Sequence, residues 1–335
     1  MHVDPGGIEN SPDDTLAGES GEYSAVQNFH ERLRRYQKAH SRAVDMGNYI
    51  TSLVKSNTNL AHSLAGLAPR LAMCGEYLVF RDYYTVKQVR LHHANFCKNH
   101  LLCPLCAIRR ASKLTERYLD RSKEIQAYDG QIKPYFITLT LKDREDLGEM
   151  LQEAKRALAV MVNHRRQASH GRRPPIQMNK ACAGVSAFEI KRGKGSGLWH
   201  VHIHAIWLCS SKPWESELSR EWKEITGDSF IVDCRPVNDA MGFIEVLSYA
   251  VKFSTMTVDE NFEAYKILRG KRLVNSFGWF RGIGEPEILE DEPLEDLPFI
   301  EMIFKYLDGA GYKLQPNRMQ ELPVSDRVLE MEVPY

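Results

Sequence analysis

Leu198-Trp199-His200-Val201-His202-Ile203-His204-Ala205-Ile206-Trp207-Leu208 alternates two kinds of side chain with a strict period of two. In a β-strand successive side chains point to opposite faces. Trp199, Val201, Ile203, Ala205 and Trp207 therefore share one apolar face, while His200, His202 and His204 share the other. Three imidazoles side by side need polar partners, and a metal ion is the partner that this spacing serves. The glycine-rich run Gly193-Lys194-Gly195-Ser196-Gly197 turns the chain just before this strand, so Val185–Arg192 is the other arm of a hairpin. With the turn centred near 195–196, Glu189 falls opposite His202 on the histidine face. One carboxylate with two imidazoles makes a mixed nitrogen and oxygen set suited to Mg²⁺ or Mn²⁺, with positions left for phosphate oxygens. The candidate ligands are His200, His202 and His204, with Glu189 as a further one of different type.

Working outward, Tyr135–Leu141 is a strand with Tyr135, Ile137, Leu139 and Leu141 on one face and Thr138 and Thr140 on the other. Helices are expected near 146–165, 214–225 and 240–254, and a strand at 229–235. The order β-α-β-β-α-β predicts an α+β fold: an antiparallel sheet of the ferredoxin-like, split βαβ type, backed by helices. Upstream, 25–71 reads as helical, Tyr77–Leu91 as one or two strands, and Ala107–Ala127 as a basic helix. Asp129-Gly130 is a turn and a boundary. The chain accordingly divides into a disordered acidic leader (1–22), a helical and cysteine-bearing region (23–130), the histidine domain (131–284) and an acidic C-terminal tail (285–335). The tail carries one expected amphipathic helix, Leu294–Leu307.

Cys97-x5-Cys103-Pro104-Leu105-Cys106 contains a Cys-x2-Cys knuckle, and Cys74-Gly75 lies upstream. Four thiolates close a tetrahedral structural Zn²⁺ site, with His100 as the alternative to Cys74. Cys182, Cys209 and Cys234 stand singly and read as small core residues. No apolar run reaches the length of a membrane span, and the acidic start is no signal peptide, so a cytoplasmic protein is expected. A formal net charge of zero conceals an uneven distribution: 285–335 carries a net −9, and 23–284 a net +15. A basic body suits a polyanion partner, and Arg109, Arg110 and Lys113 on the basic helix are candidates for duplex DNA contacts.

Glu245, Tyr249 and Lys252 are spaced i, i+4, i+7 and form one stripe on the helix expected at 240–254. A phenol, a carboxylate and an ammonium are the groups that strand cleavage needs: a nucleophile, a general base and a cation for developing charge.

Taken together, Cys74 to Gly282 resembles the HUH-endonuclease superfamily, and within it the single-tyrosine initiators of rolling-circle plasmid replication. Phe136-Ile137-Thr138-Leu139-Thr140 is similar to that family's first motif. Trp199-His200-Val201-His202-Ile203-His204 is similar to the second, whose last two histidines are the metal pair. Glu245-x3-Tyr249-x2-Lys252 is similar to the third, in which the tyrosine is the nucleophile and the glutamate the base used at termination. Arg272–Gly278 resembles the segment that follows, and the cysteine pattern is also similar. Two positions depart from the pattern: Val201 stands where proline is usual, and Ser248 where lysine is usual, which leaves Lys252 as the candidate phosphate-neutralising cation. The resemblance implies an enzyme that nicks one strand at a double-strand origin through a phosphotyrosine intermediate, with Glu-activated water at termination. Its implied partners are origin DNA, duplex and single-stranded, and the host helicase and replication machinery. Rival readings are a relaxase, which usually places its tyrosine before the histidines, and a single-strand DNA transposase, which usually lacks such a cysteine cluster. A zinc hydrolase and a zinc-containing DNA-binding regulator without nuclease activity are rivals from other classes.

Overall fold

The computed structural model describes residues 21–56, 64, 66–193, 196–247 and 255–316. Ser248, Tyr249 and Lys252 lie outside the described residues, as does the leader up to residue 20. In chain order the elements are α1 (Gly21–Ser56), α2 (Leu67–Ala72), β1 (Tyr77–Tyr83), β2 (Gln88–Ala94), α3 (Pro104–Tyr128), β3 (Lys133–Thr140) and α4 (Leu147–Ser169). There follow β4 (Ala181–Arg192), β5 (Trp199–Cys209), α5 (Glu215–Thr226), β6 (Val232–Pro236), α6 (Ala240–Leu247), α7 (Val258–Leu268), β7 (Val274–Gly278), β8 (Ile300–Leu307) and β9 (Gly311–Leu314).

Strands β3 to β7 form an antiparallel sheet in the order β6-β3-β5-β4-β7. β3 and β4 run parallel with β5 between them, which is the split βαβ arrangement expected from the order of elements. Local sequence sets the helix ends. Pro104 opens α3, where its missing N–H costs nothing. Asp146 caps α4 by accepting from the Glu149 N–H at 2.8 Å. On one face of the sheet, Trp199, Val201, Ile203 and Trp207 of β5 pack with Met150, Ala154 and Met161 of α4 and Leu218 and Trp222 of α5. Burying each aliphatic side chain of that size stabilises the fold by roughly 1.5–3 kcal/mol. The opposite face carries the histidines at one end and Ile206 and Leu208 at the other. At the apolar end, α3 covers it with Leu114, Tyr118 and Ile125, and α6 with Phe243, Val246 and Leu247.

A second antiparallel sheet has the order β2-β1-β8-β9. Its Phe80 meets Phe29 of α1 edge-on, ring centroids 5.0 Å apart. Residues 300–307 are therefore strand where the sequence predicts helix: Leu78 of β1 pairs with Phe304 and Phe80 with Met302. The apolar residues at 294, 297, 300, 304 and 307 fit a helical spacing, but partners more than two hundred residues away override the local pattern.

Between β7 and β8 the acidic segment returns along the basic helix α3. Both oxygens of Glu285 accept from Arg110, at 2.8 and 2.5 Å. Arg109 is only 3% exposed, pairs with Asp291 and donates to the Leu289 carbonyl at 2.7 Å. Lys113 is 2.9 Å from Glu116 and 4.0 Å from Asp291. Arg109, Arg110 and Lys113 thus hold the fold together; they are not an open face for duplex DNA, because the chain supplies its own carboxylates to them. No described helix is long and apolar enough to cross a membrane.

Candidate active site and metal centre

The register across the sheet assembles the histidine face. His204 lies between Thr138 of β3 and Ala187 of β4, and His202 between Thr140 and Glu189. His200 pairs with Lys191, and Asp143, just past β3, bonds its Nδ1. Glu189 is thus opposite His202, as the hairpin geometry predicts. Its closest imidazole contact is diagonal, with Oε2 2.7 Å from His204 Nε2. Glu189 is 8% exposed, and Lys191 Nζ lies 3.8 Å from its other oxygen.

Two threonines orient the rings. Thr138 Oγ1 is 3.2 Å from His204 Nδ1, and Thr140 Oγ1 is 2.9 Å from His202 Nδ1. With Nδ1 engaged, His204 turns Nε2 to Glu189 and His202 turns Nε2 to His200; a partner on the other ring nitrogen is how metal-ligating imidazoles are oriented. His202 Nε2 approaches His200 Nε2 at 2.5 Å. Burial, then the neighbouring His200, Lys191 and His204, push His202 down to about 3. Its imidazole is neutral at physiological pH and keeps a lone pair for a ligand role. The donor types, imidazole and carboxylate, are those that bind divalent cations, but among the described residues their ligand atoms do not gather within 4.8 Å of one another as the cysteines do. The sequence singled out His200, His202, His204 and Glu189, but missed Asp143. It placed Thr138 and Thr140 on this face without a role, although their alternation opposite the apolar residues was the available signal.

Of the expected tyrosine-helix stripe, Glu245 alone falls among the described residues. α6 packs on the histidine-bearing face, and Glu245 pairs with Arg235 of β6. The Arg235 guanidinium stacks 4.3 Å from the Phe136 ring centroid, and that ring lies 5.3 Å from the ring of His204. Glu245 and the histidines are therefore linked through one continuous set of side chains, of which Arg235 was not anticipated.

Cys74, Cys97, Cys103 and Cys106 form the one group of metal-binding side chains, among the described residues, whose ligand atoms all lie within 4.8 Å of one another. The Sγ atoms of Cys74 and Cys106 are 3.5 Å apart, those of Cys97 and Cys106 3.6 Å, and those of Cys103 and Cys74 3.4 Å. A tetrahedron with bonds of about 2.3 Å has edges of about 3.8 Å, so the cluster could hold a metal such as zinc. Gly75, at φ +77°, makes the turn behind Cys74, and a Cβ there would lie 2.3 Å from Leu105 Cδ2. Hydrogen bonds from Cys103, Cys106 and Cys74 hold Cys97 far below the usual thiol range, while Cys103 and Cys106 are held far above it. Four buried thiols cannot all ionise unless a cation balances them. His100 is not part of the group.

The model of the replication protein family matches residues 88–302. Similar proteins include three relatives named Protein rep. The one from Bacillus sp is 26% identical over 178 residues, 51% of this chain and 53% of the relative. The one from Bacillus amyloliquefaciens is 27% identical over 178 residues, 51% of this chain and 48% of the relative. The one from Lactiplantibacillus plantarum is 25% identical over 201 residues, 58% of each. The chain spans about half the length of the curated relatives it matches. No solved structure matches it. Residues 88–302 take in the whole histidine-bearing sheet, its covering helices and three of the four clustered cysteines, and over that span this chain belongs to the replication protein family.

Proposed function

We propose that the chain initiates rolling-circle replication of a small circular replicon by nicking one DNA strand at its double-strand origin. The observation that carries this reading is the histidine face: His202 and His204 held by Thr140 and Thr138, with Glu189 against His204 Nε2. His202, His204 and Glu189, or His200 completing the set, would hold a divalent Mg²⁺ or Mn²⁺, which would supply positive charge to polarise the scissile phosphate. Tyr249 is the nucleophile: its phenolate attacks phosphorus, the bond to the 3′ oxygen breaks, and a 5′-phosphotyrosine and a free 3′-OH result. Lys252 offsets charge on the phenolate and phosphate. At termination Glu245 takes a proton from the water that performs the second cleavage. Residues 131–284 are the nicking unit. The four cysteines hold a structural Zn²⁺ in the 23–130 region, to which β8 and β9 add their strands. The partners are origin DNA, duplex and single-stranded, and host helicase and replication proteins, in the cytoplasm.

The test mixes full-length protein, Mn²⁺ and single-stranded oligonucleotides spanning the replicon's origin. An adduct that survives SDS is expected with the wild-type chain and with E245A, and none with Y249F. E245A should lose water-dependent cleavage by roughly 10²–10⁴-fold. Absence of any adduct, or an adduct mapped by mass spectrometry to another tyrosine, defeats the reading.

A further inference from the structure

A groove of about 820 Å³ runs between α4 and the edge strand β7. Five cations line it: Lys155, Arg165 and Arg166 from α4, Arg272 before β7, and Arg281 after it. Among the described residues no Asp or Glu contributes to its lining. Elsewhere the chain folds its carboxylates back onto its cations, as Glu285 does with Arg110 and Asp291 with Arg109. The ion pairs found among the described residues include none of these five. Arg165 donates to the backbone carbonyls of Met178 and Ala181 at 3.2 and 2.8 Å, Arg166 to Asn163 at 2.9 Å and Arg272 to Val274 at 3.0 Å. These three guanidinium groups bond neutral acceptors and form no ion pair among the described residues. Burial, then repulsion from Lys271, lowers the proton affinity of Lys155; burial, with repulsion from Arg281, does the same for Arg165. So dense a set of like charges is costly on its own and calls for an anion that spans it.

The groove lies on the α4 side of the sheet, away from the histidines. α4 packs on the face opposite them, and Phe188 and Phe277, which floor the groove, belong to that apolar face. We infer that this groove holds the phosphate backbone of the origin duplex, a second DNA contact separate from the cleavage site. The inference rests on the proposed reading that DNA is the substrate. A duplex backbone fits better than a single strand. Single-strand sites present exposed aromatic faces on which bases stack, whereas Phe188 is 1% and Phe277 7% exposed, and Arg165 lies over the Phe277 ring. Asn163, Asn275 and Ser276 supply neutral donors between the cations, as phosphate contacts commonly use. The assignment also gives a role to Arg272–Gly278, the segment that follows α7 and forms one wall of the groove.

The experiment compares K155Q/R166Q/R272Q/R281Q with the wild-type full chain on an origin duplex, measuring the association constant across a range of KCl concentrations. Each lost phosphate contact makes the negative slope of log K against log salt shallower by about 0.9, so a decrease in steepness of about 3 to 4 is expected. Adduct formation on a short single-stranded oligonucleotide should stay unchanged. R166K/R272K/R281K keeps the charge and should keep the wild-type slope, which separates charge from packing. R34Q/K38Q/K55Q/K313Q removes four exposed cations elsewhere and should leave the slope near its wild-type value. An unchanged slope in the groove variant overturns the inference. So does an equal decrease in the remote variant, or a loss of single-strand affinity with duplex binding intact. A wild-type chain that forms no adduct, but whose duplex slope still falls in the groove variant, defeats the nicking reading and leaves the groove standing.

Discussion

A hydroxyl placed on Nδ1 decides which nitrogen of an imidazole is left to act. Thr140 bonds His202 and Thr138 bonds His204 in the same sense, although each threonine sits on the neighbouring strand. Both rings are then fixed without a carboxylate behind them. Thr140→Val removes the oxygen while keeping the branched shape, and the backbone carbonyl at 140 still accepts from Trp222 Nε1. The ring of His202 should then rotate more freely. On the proposed reading, loss of such an orienting partner weakens divalent-metal affinity by roughly 10–100-fold. Titration of Mn²⁺ against adduct formation measures this, with the melting temperature as the control for folding. An unchanged Mn²⁺ requirement in both T140V and T138V would show that the hydroxyls do not hold the rings for a metal.

At the scale of elements, α5 carries an acid in an unusual setting. Glu221 accepts from the Gln177 N–H with both oxygens, at 3.0 and 3.1 Å. Burial is the largest influence on it and, with Glu217 and Glu224 nearby, pushes it up from 4.5 to about 7 against the pull of that N–H. The folded state therefore prefers the protonated acid. Its contribution to stability is full below about 4.5 and is lost as pH rises through about 7. E221Q keeps an acceptor for the Gln177 N–H and cannot ionise. Its melting temperature should overtake that of the wild type progressively between about pH 5 and 8, by a modest margin because solvent screens the partly exposed group. A constant difference across that range would contradict the account. Elements differ in how far the sequence reveals them, and the cause is where each finds its partners. β5 is legible because its two faces differ completely, and its pairing with β4 follows from a short turn. β8 is not, because β1 dictates its conformation from more than two hundred residues away. Among site residues, the histidines, Glu189 and the cysteines declare themselves by spacing. Asp143 and Arg235 reach the same face from separate segments, and no local pattern reports that.

At the scale of the whole molecule, part of the charge asymmetry of the sequence is folded away, as Glu285 and Asp291 pair with Arg110 and Arg109 of α3. The acidic segment after β7 lies against the basic helix α3, and Asp291 is the more buried of the two carboxylates that pair there with arginines of α3. One oxygen pairs with Arg109, and the other accepts from the Leu91 N–H at 2.7 Å; Arg32 and Lys113 stand 3.9 and 4.0 Å away. Burial alone would raise its pKa, but Arg109, the Leu91 N–H and Arg32 outweigh burial and hold the carboxyl below its ordinary range. The stability this contributes is present above the ordinary carboxylate pKa and is lost as pH falls through the depressed folded value. Asp291→Asn keeps an acceptor for Leu91 but leaves Arg109 charged and buried with only Tyr36 and the Leu289 carbonyl. Breaking one side of such a pair costs about 3–5 kcal/mol. Removing the stranded charge as well, in R109M/D291N, should restore most of that loss, because much of the penalty belongs to the unpaired guanidinium. Urea unfolding of the wild type, D291N, R109M and the double variant measures the coupling. If the two single losses simply add in the double variant, Arg109 and Asp291 stabilise the chain independently, and the acidic segment is not held to α3 by this pair.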